Sequence, residues 1–283
     1  MSQPTIRKQR IRRSSVKVRL IVFGTLAVLL ILFSVFSEQL TPYDPYLQDL
    51  SNAKAPPSAE HLLGTDRYGR DMLSRVIVGS RTSIFSTLLL VAVITVLGTA
   101  VGVFCGWNGR WMDTVLMRIS DMFLAFPGLV FALAVAGSLG GGLQNAILAL
   151  AAISWPKYAR IARSQTLAQK ETVWMKVAKL SGSSSGKLIF KHILPNIIGP
   201  ILVTAMLDIG TMMMELAALS FLSLGAKPPT AEWGSMMSDT RSLMTTSPWI
   251  TFSPGIAFFI SVMVFNLLGD TIRDYADPKS RGR

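Results

Sequence analysis

Residues 82–109 read TSIFSTLLLVAVITVLGTAVGVFCGWNG and contain no charged side chain. A helix needs about 20 mostly apolar residues to cross the hydrocarbon core of a bilayer. This stretch is long enough for one spanning helix and sets the class of the protein. The composition agrees, because 50% of the 283 residues are hydrophobic and 16% are charged. The sequence therefore predicts an all-α integral membrane protein.

Three further runs lack charged residues, namely 20–36, 122–156 and 242–269. The run 122–156 is too long for one span and is interrupted by glycine and polar residues at 138–145, so it is predicted to form two helices. Another span is predicted to begin near Asn196. These segments predict about six transmembrane helices.

Basic residues predict the orientation, because Lys and Arg near helix ends are retained on the cytoplasmic side. One set of segments carries 21 basic and 6 acidic residues, and it comprises 1–19, 108–121, 157–195 and 270–283. The intervening segments 37–81 and 225–250 carry 7 basic and 8 acidic residues. Both termini are therefore expected in the cytoplasm. The net charge of +12 is interpreted as a topology signal and not as a nucleic-acid-binding surface.

The chain is expected to divide into four parts along its length. These are a basic cytoplasmic tail at 1–19, a first transmembrane helix at 20–36, an external loop at 37–81, and a membrane core of five further helices at 82–283. Balanced charges and two glycines at 64–71 predict a folded, hydrogen-bonded turn before the second span. Gly98, Gly102 and Gly106, spaced by four, predict a close contact between helices.

The longest cytoplasmic connection, 157–195, has a helical pattern. Val173, Val177 and Leu180 alternate with charged residues at helical spacing, so part of it is predicted to be an amphipathic helix. Gly182 then breaks the pattern before the chain re-enters the membrane. Such a helix needs a partner surface, either lipid or protein, and the helix–turn–helix pattern favours a rigid docking element.

The spacing within this connection resembles the coupling loop of ABC importer permeases, whose pattern is Glu-Ala-Ala, three residues, Gly, nine residues, Ile, one residue, Leu-Pro. The residues at the pattern positions are Lys176, Val177, Ala178, Gly182, His192, Leu194 and Pro195. Ala178, Gly182, Leu194 and Pro195 match. Lys176, Val177 and His192 depart from the pattern. The resemblance implies that this loop couples the chain to an ATPase subunit.

Residues from about 20 to 280 are similar to the peptide and nickel branch of the same family, notably at 64–75, 219–234 and 265–278. The resemblance implies a homologous second permease subunit, two ATPase subunits and an external substrate-binding protein, in the inner membrane. It also implies that ATP is used by the partner subunits, with no cofactor bound by this chain. The segment 182–187 lacks P-loop spacing, and no catalytic residues are predicted.

A polar stripe is predicted inside the fifth span. Thr204, Asp208, Thr211 and Glu215 step by four, three and four residues, so they share one helix face. Ionisable residues at membrane depth usually face the bundle interior. One interpretation is a translocation path, to which Met212 would add a soft side chain. The other is a structural carboxylate paired with Lys or Arg of a neighbouring helix.

The expected cargo is nickel or a metal chelate, with dipeptides or oligopeptides as the alternative. Segments 207–213 and 229–234 look more like nickel permeases than dipeptide permeases. No bound metal site is predicted, because His61 and His192 fall on opposite sides of the membrane. A stand-alone secondary transporter, with Asp208 and Glu215 as proton relays, is a third hypothesis; it predicts inverted repeats, and none is evident.

Overall fold

The computed structural model describes residues 3–276, with side chains described from residue 16 onward. The predicted family motif at 277–278 lies outside this part of the chain. Between residues 3 and 276 the chain forms eleven α-helices and no β-strand. They are α1 (Gln3–Val35), α2 (Ser37–Leu40), α3 (Met72–Asn108), α4 (Arg110–Ala125), α5 (Gly128–Ser138), α6 (Leu143–Lys170), α7 (Val173–Leu180), α8 (Ser185–Leu188), α9 (Leu194–Phe221), α10 (Trp233–Thr240) and α11 (Pro248–Ala276).

Four of the described helical segments have the length and hydropathy of membrane spans. They are Val16–Val35, Met72–Asn108, Ser185–Phe221 and Pro248–Ala276, and the bent pair of α4 and α5 gives up to five. The predicted all-α membrane class is therefore confirmed. The count of six is approximate, because the remaining helix of the bundle, α6, is apolar only in its first half.

Two predicted loops are mostly helical. Asn108 ends α3, residues 110–121 belong to α4 after a break at Gly109, and α6 continues through Lys157 as far as Lys170. Lys and Arg are good helix formers, so the charged residues that bound the apolar runs do not end the helices. The connection between α6 and α9 is therefore shorter than the predicted 157–195.

The start of the second span was also predicted too late. The helix α3 begins at Met72, inside the loop predicted for 37–81. Its start is set by Asp71, whose carboxylate accepts hydrogen bonds from the backbone N–H and the hydroxyl of Ser74, both at 2.7 Å. An aspartate in this position satisfies one of the free N–H groups at a helix start.

The run 122–156 breaks twice. The predicted break is confirmed, since α5 ends at Ser138 and α6 begins at Leu143 after three glycines with positive φ. A second break falls at Phe126, whose extended backbone precedes Pro127 and separates α4 from α5 at an angle of 95°. A residue before proline is disfavoured in the helical region, which explains this bend.

The close helix contact predicted for the glycines of α3 is confirmed, and the partner is α6. A Cβ atom built on Gly98 would lie 2.5 Å from the Trp155 carbonyl oxygen, and one on Gly102 would collide with the Ala159 carbonyl. The two backbones therefore touch, as they do where small residues line helix contacts in membranes. The helix α9 packs on α11, and α1 lies against the outside of α11 with most of its surface exposed.

Residues 41–71, named the lip, fold into an ordered turn structure at one end of the bundle. The carboxylate of Asp66 accepts hydrogen bonds from Arg70, with Nε at 2.7 Å, and lies 3.7 Å from Arg75 Nε. His61 Nδ1 lies 2.9 Å from the carboxylate of Asp71. The predicted hydrogen-bonded turn is therefore confirmed, and we call this end of the molecule the lip end.

Close backbone approach also shapes the lip. Gly69 has a φ of +74°, and a Cβ atom there would collide with the Asp49 carbonyl. Hydrogen bonds from the side chain and backbone of Ser51 lower the pKa of the exposed Asp49 carboxyl. Arg67 reaches across to Asp239, which follows α9 in the chain, with a 3.8 Å separation of charged atoms. The lip is thus tied to the second connection at the same end.

Candidate coupling site and transmembrane path

The helix α7 protrudes at the opposite end of the bundle, which we call the α7 end. Val173, Val177 and Leu180 are 78%, 56% and 88% exposed. Met175 on the other face is buried, and Trp174 makes a ring contact with His192 at 5.6 Å between centroids. The predicted amphipathic helix is confirmed. Its apolar outer face is available to another surface.

Gly182 ends α7 in the conformation that the sequence suggested. Its φ is +79°, in the left-handed region that L-residues with side chains rarely adopt. The N–H of Gly182 donates to the Lys179 carbonyl at 3.1 Å, and the N–H of Ser183 donates to the Ala178 carbonyl at 3.3 Å. These bonds satisfy free carbonyl groups at the helix end. No atom lies within 4 Å of a Cβ built at Gly182, so its requirement is one of backbone conformation.

The other residues of the pattern lie around this turn. Lys176 pairs with Glu171 at 3.1 Å on an exposed surface, Val177 is exposed, and Ala178 packs against the core. Leu194 and Pro195 form the first turn of α9. The pattern therefore occupies the outer face of α7, its capping turn and the start of the next span.

The predicted stripe on α9 separates into parts with different surroundings. Asp208 is buried, Glu215 is half-buried and Thr211 is exposed. Thr204 is half-buried and its hydroxyl donates to the Pro200 carbonyl at 2.9 Å. Met212 is buried and packs in the core, which does not favour it as a residue facing an open path.

Asp208 is bound by two residues of α6. Lys157 Nζ lies 2.6 Å from one carboxylate oxygen, and the Tyr158 hydroxyl donates to the other at 2.9 Å. This geometry favours the interpretation of Asp208 as a carboxylate paired between helices. Sequence reasoning missed both partners because it assigned Lys157 to a loop outside the membrane.

Glu215 differs from Asp208, although both lie on α9. Within residues 16–276 its carboxylate has no ion pair or hydrogen bond, and it lies two turns from Asp208 toward the lip end. A carboxylate in a membrane span is costly unless it meets a counter-charge or water. Its half-exposed position therefore points to a hydrated surface or a second chain.

Ion pairs also fix α4 to the second half of α6. Arg163 forms a bidentate ion pair with Asp113, in which Nε and Nη2 lie 2.5 and 2.6 Å from the two carboxylate oxygens. Arg160 pairs with Asp121. Asp121 thus binds a residue of another helix. These pairs explain why the basic residues of 157–170 lie on a helix of the bundle.

The structure offers little for holding a metal ion. Across the described side chains, no three His, Cys, Asp or Glu residues are close enough together to hold one. His61 contacts one carboxylate, that of Asp71, and His192 lies at the α7 end. Cys105 is buried in α3 and unpaired by any disulfide.

The fold and site together define a class. A bundle of apolar helices carries a folded lip at one end and a short helix with an exposed apolar face at the other, with polar residues between them. This is the architecture of a multi-pass helical membrane protein.

Comparison with known proteins gives the family. Residues 98–282 match the model of the binding-protein-dependent transport system inner membrane component. The dipeptide transport system permease protein DppC of Alkalihalophilus pseudofirmus is 41% identical over 89% of this chain and 83% of its own length. The nickel transport system permease protein NikC of Escherichia coli is 40% identical over 94% of this chain and 95% of its own length. This chain belongs to the family of ABC importer permeases to which these proteins belong.

Solved structures agree at the level of the fold. A chain of the inward-facing MetNI methionine ABC transporter aligns with a TM-score of 0.57 at 17% identity, covering 73% of this chain and 98% of that chain. The alignment shows a shared helical architecture. It is consistent with the all-helical bundle described above.

Proposed function

We propose that the chain is one of two membrane-spanning permease subunits of an ATP-driven, binding-protein-dependent importer. Its complex would contain a homologous second permease, two ATPase subunits that use ATP, and an external substrate-binding protein. The observation that carries this proposal is the family membership, which extends over most of the chain. The exposed apolar face of α7 supports it, because that face needs a partner protein.

In this proposal α7 and its capping turn dock on an ATPase subunit. Val177 and Lys176 belong to the exposed docking surface, and Ala178 holds the helix against the bundle. Gly182 sets the turn, and Leu194 with Pro195 starts the span that follows. Movement of the ATPase would reach the bundle as a displacement of packed helices, which is how alternating access is achieved in transporters.

The charge distribution supports an orientation with α7 and both termini in the cytoplasm and the lip outside. Residues 157–195 carry 8 basic residues and 1 acidic residue, whereas 37–81 carry 5 and 6. The lip would then face the binding protein, and the membrane would be the cell's inner membrane.

Glu215 and Thr211 are the proposed contacts with the cargo, with Thr204 further along the same helix. They lie at the boundary between buried and exposed surface, where a path between two permeases would run. The free carboxylate suits a positive group on the cargo. We propose nickel, as a chelate, because the described residues include no cluster that would replace the water shell of a free ion.

A dipeptide is the second candidate cargo. It is supported by the dipeptide permease at 41% identity, close to the 40% of the nickel permease. An α-ammonium group would meet the same carboxylate. The metal and peptide proposals thus share one cargo-binding residue and differ in what the binding protein delivers.

Two experiments test the function. The tagged chain should co-purify with two ATPase subunits and a second permease, whereas an active homo-oligomer without ATPases would favour a secondary transporter. A deletion strain should lose high-affinity nickel uptake and recover it with excess nickel. Normal nickel uptake together with lost growth on a dipeptide would establish the peptide alternative and refute the metal proposal.

Glu215→Gln tests the proposed path. A hydrogen bond to a charged group contributes about 1.5–3 kcal/mol, so uptake should fall about tenfold or more. Asp274→Asn, which removes an exposed carboxylate near the end of α11, should leave uptake unchanged. Equal uptake in both variants and the wild type would remove Glu215 from the path.

A further inference from the structure

We propose that Asp208, Lys157 and Tyr158 are positioning residues that join the two helices on either side of α7 into one moving body. This inference rests on the proposed function, since it concerns how movement of α7 reaches the membrane. The name "membrane joint" is used below for these three side chains. None of the three residues lies within the coupling pattern at 176–195.

The joint connects the helix that enters α7 with the helix that leaves it. The helix α6 ends at Lys170, and two residues separate it from α7. The helix α9 begins at Leu194, after the capping turn and the short helix α8. Lys157 is 13 residues from the end of α6, and Asp208 is 14 residues from the start of α9. At 1.5 Å per residue, both lie about 20 Å into the bundle from the α7 end. Without a side-chain contact between the helices at that depth, a displacement of α7 could separate α6 from α9.

The joint also unites two tightly packed helix pairs. Gly98 brings α3 against Tyr158 of α6, with a built Cβ 2.5 Å from the Tyr158 Cβ. On the other side, a Cβ on Gly269 of α11 would lie 2.9 Å from the Leu207 Cα, next to Asp208. Each pair is held by backbone contact that resists sliding. The polar atoms of the joint link the α3–α6 pair to the α9–α11 pair.

Burial distinguishes this joint from an ordinary surface ion pair. Tyr158 is fully buried and the Asp208 side chain is 7% exposed, whereas the Lys157 side chain is 52% exposed. Exposed pairs contribute little, but removing one partner from a buried pair leaves a charge without compensation. Tyr158 fixes the direction of the carboxylate, and Lys157 neutralises it from the open side.

The first test is the number of cargo molecules transported per ATP in the reconstituted complex. Asp208→Asn and Lys157→Met should each lower this ratio about tenfold, within the range of measured couplings between sites. The double neutral variant, which combines Asp208→Asn with Lys157→Met, leaves no charge unpaired and should therefore restore assembly and thermal stability. It should not restore the number of cargo molecules transported per ATP. The reversed pair, Lys157→Glu with Asp208→Lys, should recover much of it.

The second test measures the joint without transport. Spin labels at Ser164→Cys on α6 and Ile198→Cys on α9, both exposed positions, report the separation of the two helices at the α7 end. Cys105→Ser removes the native thiol. The distance should stay constant between nucleotide-free and ATP-bound complexes. In the Asp208→Asn background it should change with nucleotide or broaden.

The outcomes separate the joint from the proposed function. If the wild-type chain neither binds ATPases nor transports with ATP, the proposed function is wrong. If the wild type transports and the double neutral variant keeps the full ratio, the three residues have a structural role only and the joint is refuted. A spin-label distance that changes with ATP in the wild type refutes it as well.

Discussion

Replacing Gly182 by leucine tests whether the turn after α7 carries coupling. The φ of +79° costs an L-residue with a side chain about 1–2 kcal/mol. No neighbouring atom lies within 4 Å of the added Cβ, so the cost at the Cβ is that of the backbone conformation. It lowers the ratio of formed to unformed turn by a factor of about 5–30.

The consequence is local because α7 has only 8 residues. Isolated helices shorter than about 12–15 residues are marginal in water, so α7 depends on its cap and its packing. Because the turn is marginal, we expect Gly182→Leu to reduce ATP-driven uptake in membrane vesicles severalfold, by at most the same factor of about 5–30. Thermal unfolding of the bundle should hardly change, since Gly182 lies outside it.

Gly182→Asn is the matched control, because asparagine tolerates the left-handed region better than other residues with side chains. It should retain most of the uptake and of the cargo-stimulated ATP hydrolysis. Wild-type uptake by the leucine variant would refute the reasoning, since the turn would then be unnecessary for docking. Equal loss in both variants would show that the Gly182 position itself contacts the ATPase.

Two further predictions concern topology and packing. In a Cys105→Ser background, an impermeant thiol reagent applied to intact cells should label Ser51→Cys in the lip and miss Ser183→Cys beside α7; the reverse pattern would invert the orientation. Gly102→Leu should prevent α3 from packing on α6 and abolish accumulation of the folded protein, because the added side chain meets the Ala159 backbone. Gly24→Leu, with nothing within 4 Å of its built Cβ, should accumulate normally, and equal accumulation of both variants would contradict the close contact.

Much of the fold followed from the sequence because its signals are local. The charge-free runs located the spans, and the glycine spacing predicted a close helix contact on α3 without naming α6 as the partner. The cap at Gly182 was also foreseen, since a glycine after an amphipathic run is typical of a helix end. The spans, the glycine stripe and the cap each depend on residues within a few turns of one another.

Long-range pairing could not be predicted in the same way. Lys157 and Asp208 are 51 residues apart, and the hydropathy profile assigned the lysine to a loop. A helix continues through charged residues when partners on other helices neutralise them, as Asp113 does for Arg163. The bend at Pro127 did have a sequence signal, the proline itself, which the apolar run around it concealed.

The ordered lip has a thermodynamic consequence for any protein that docks on it. Fixing the backbone of one residue costs about 1–2 kcal/mol, and a flexible loop of this length would incur much of that cost on binding. Asp66 and Asp71 already hold the lip through hydrogen bonds within the chain. A docking partner therefore meets a preorganised surface, and association can proceed almost as the encounter of two rigid bodies.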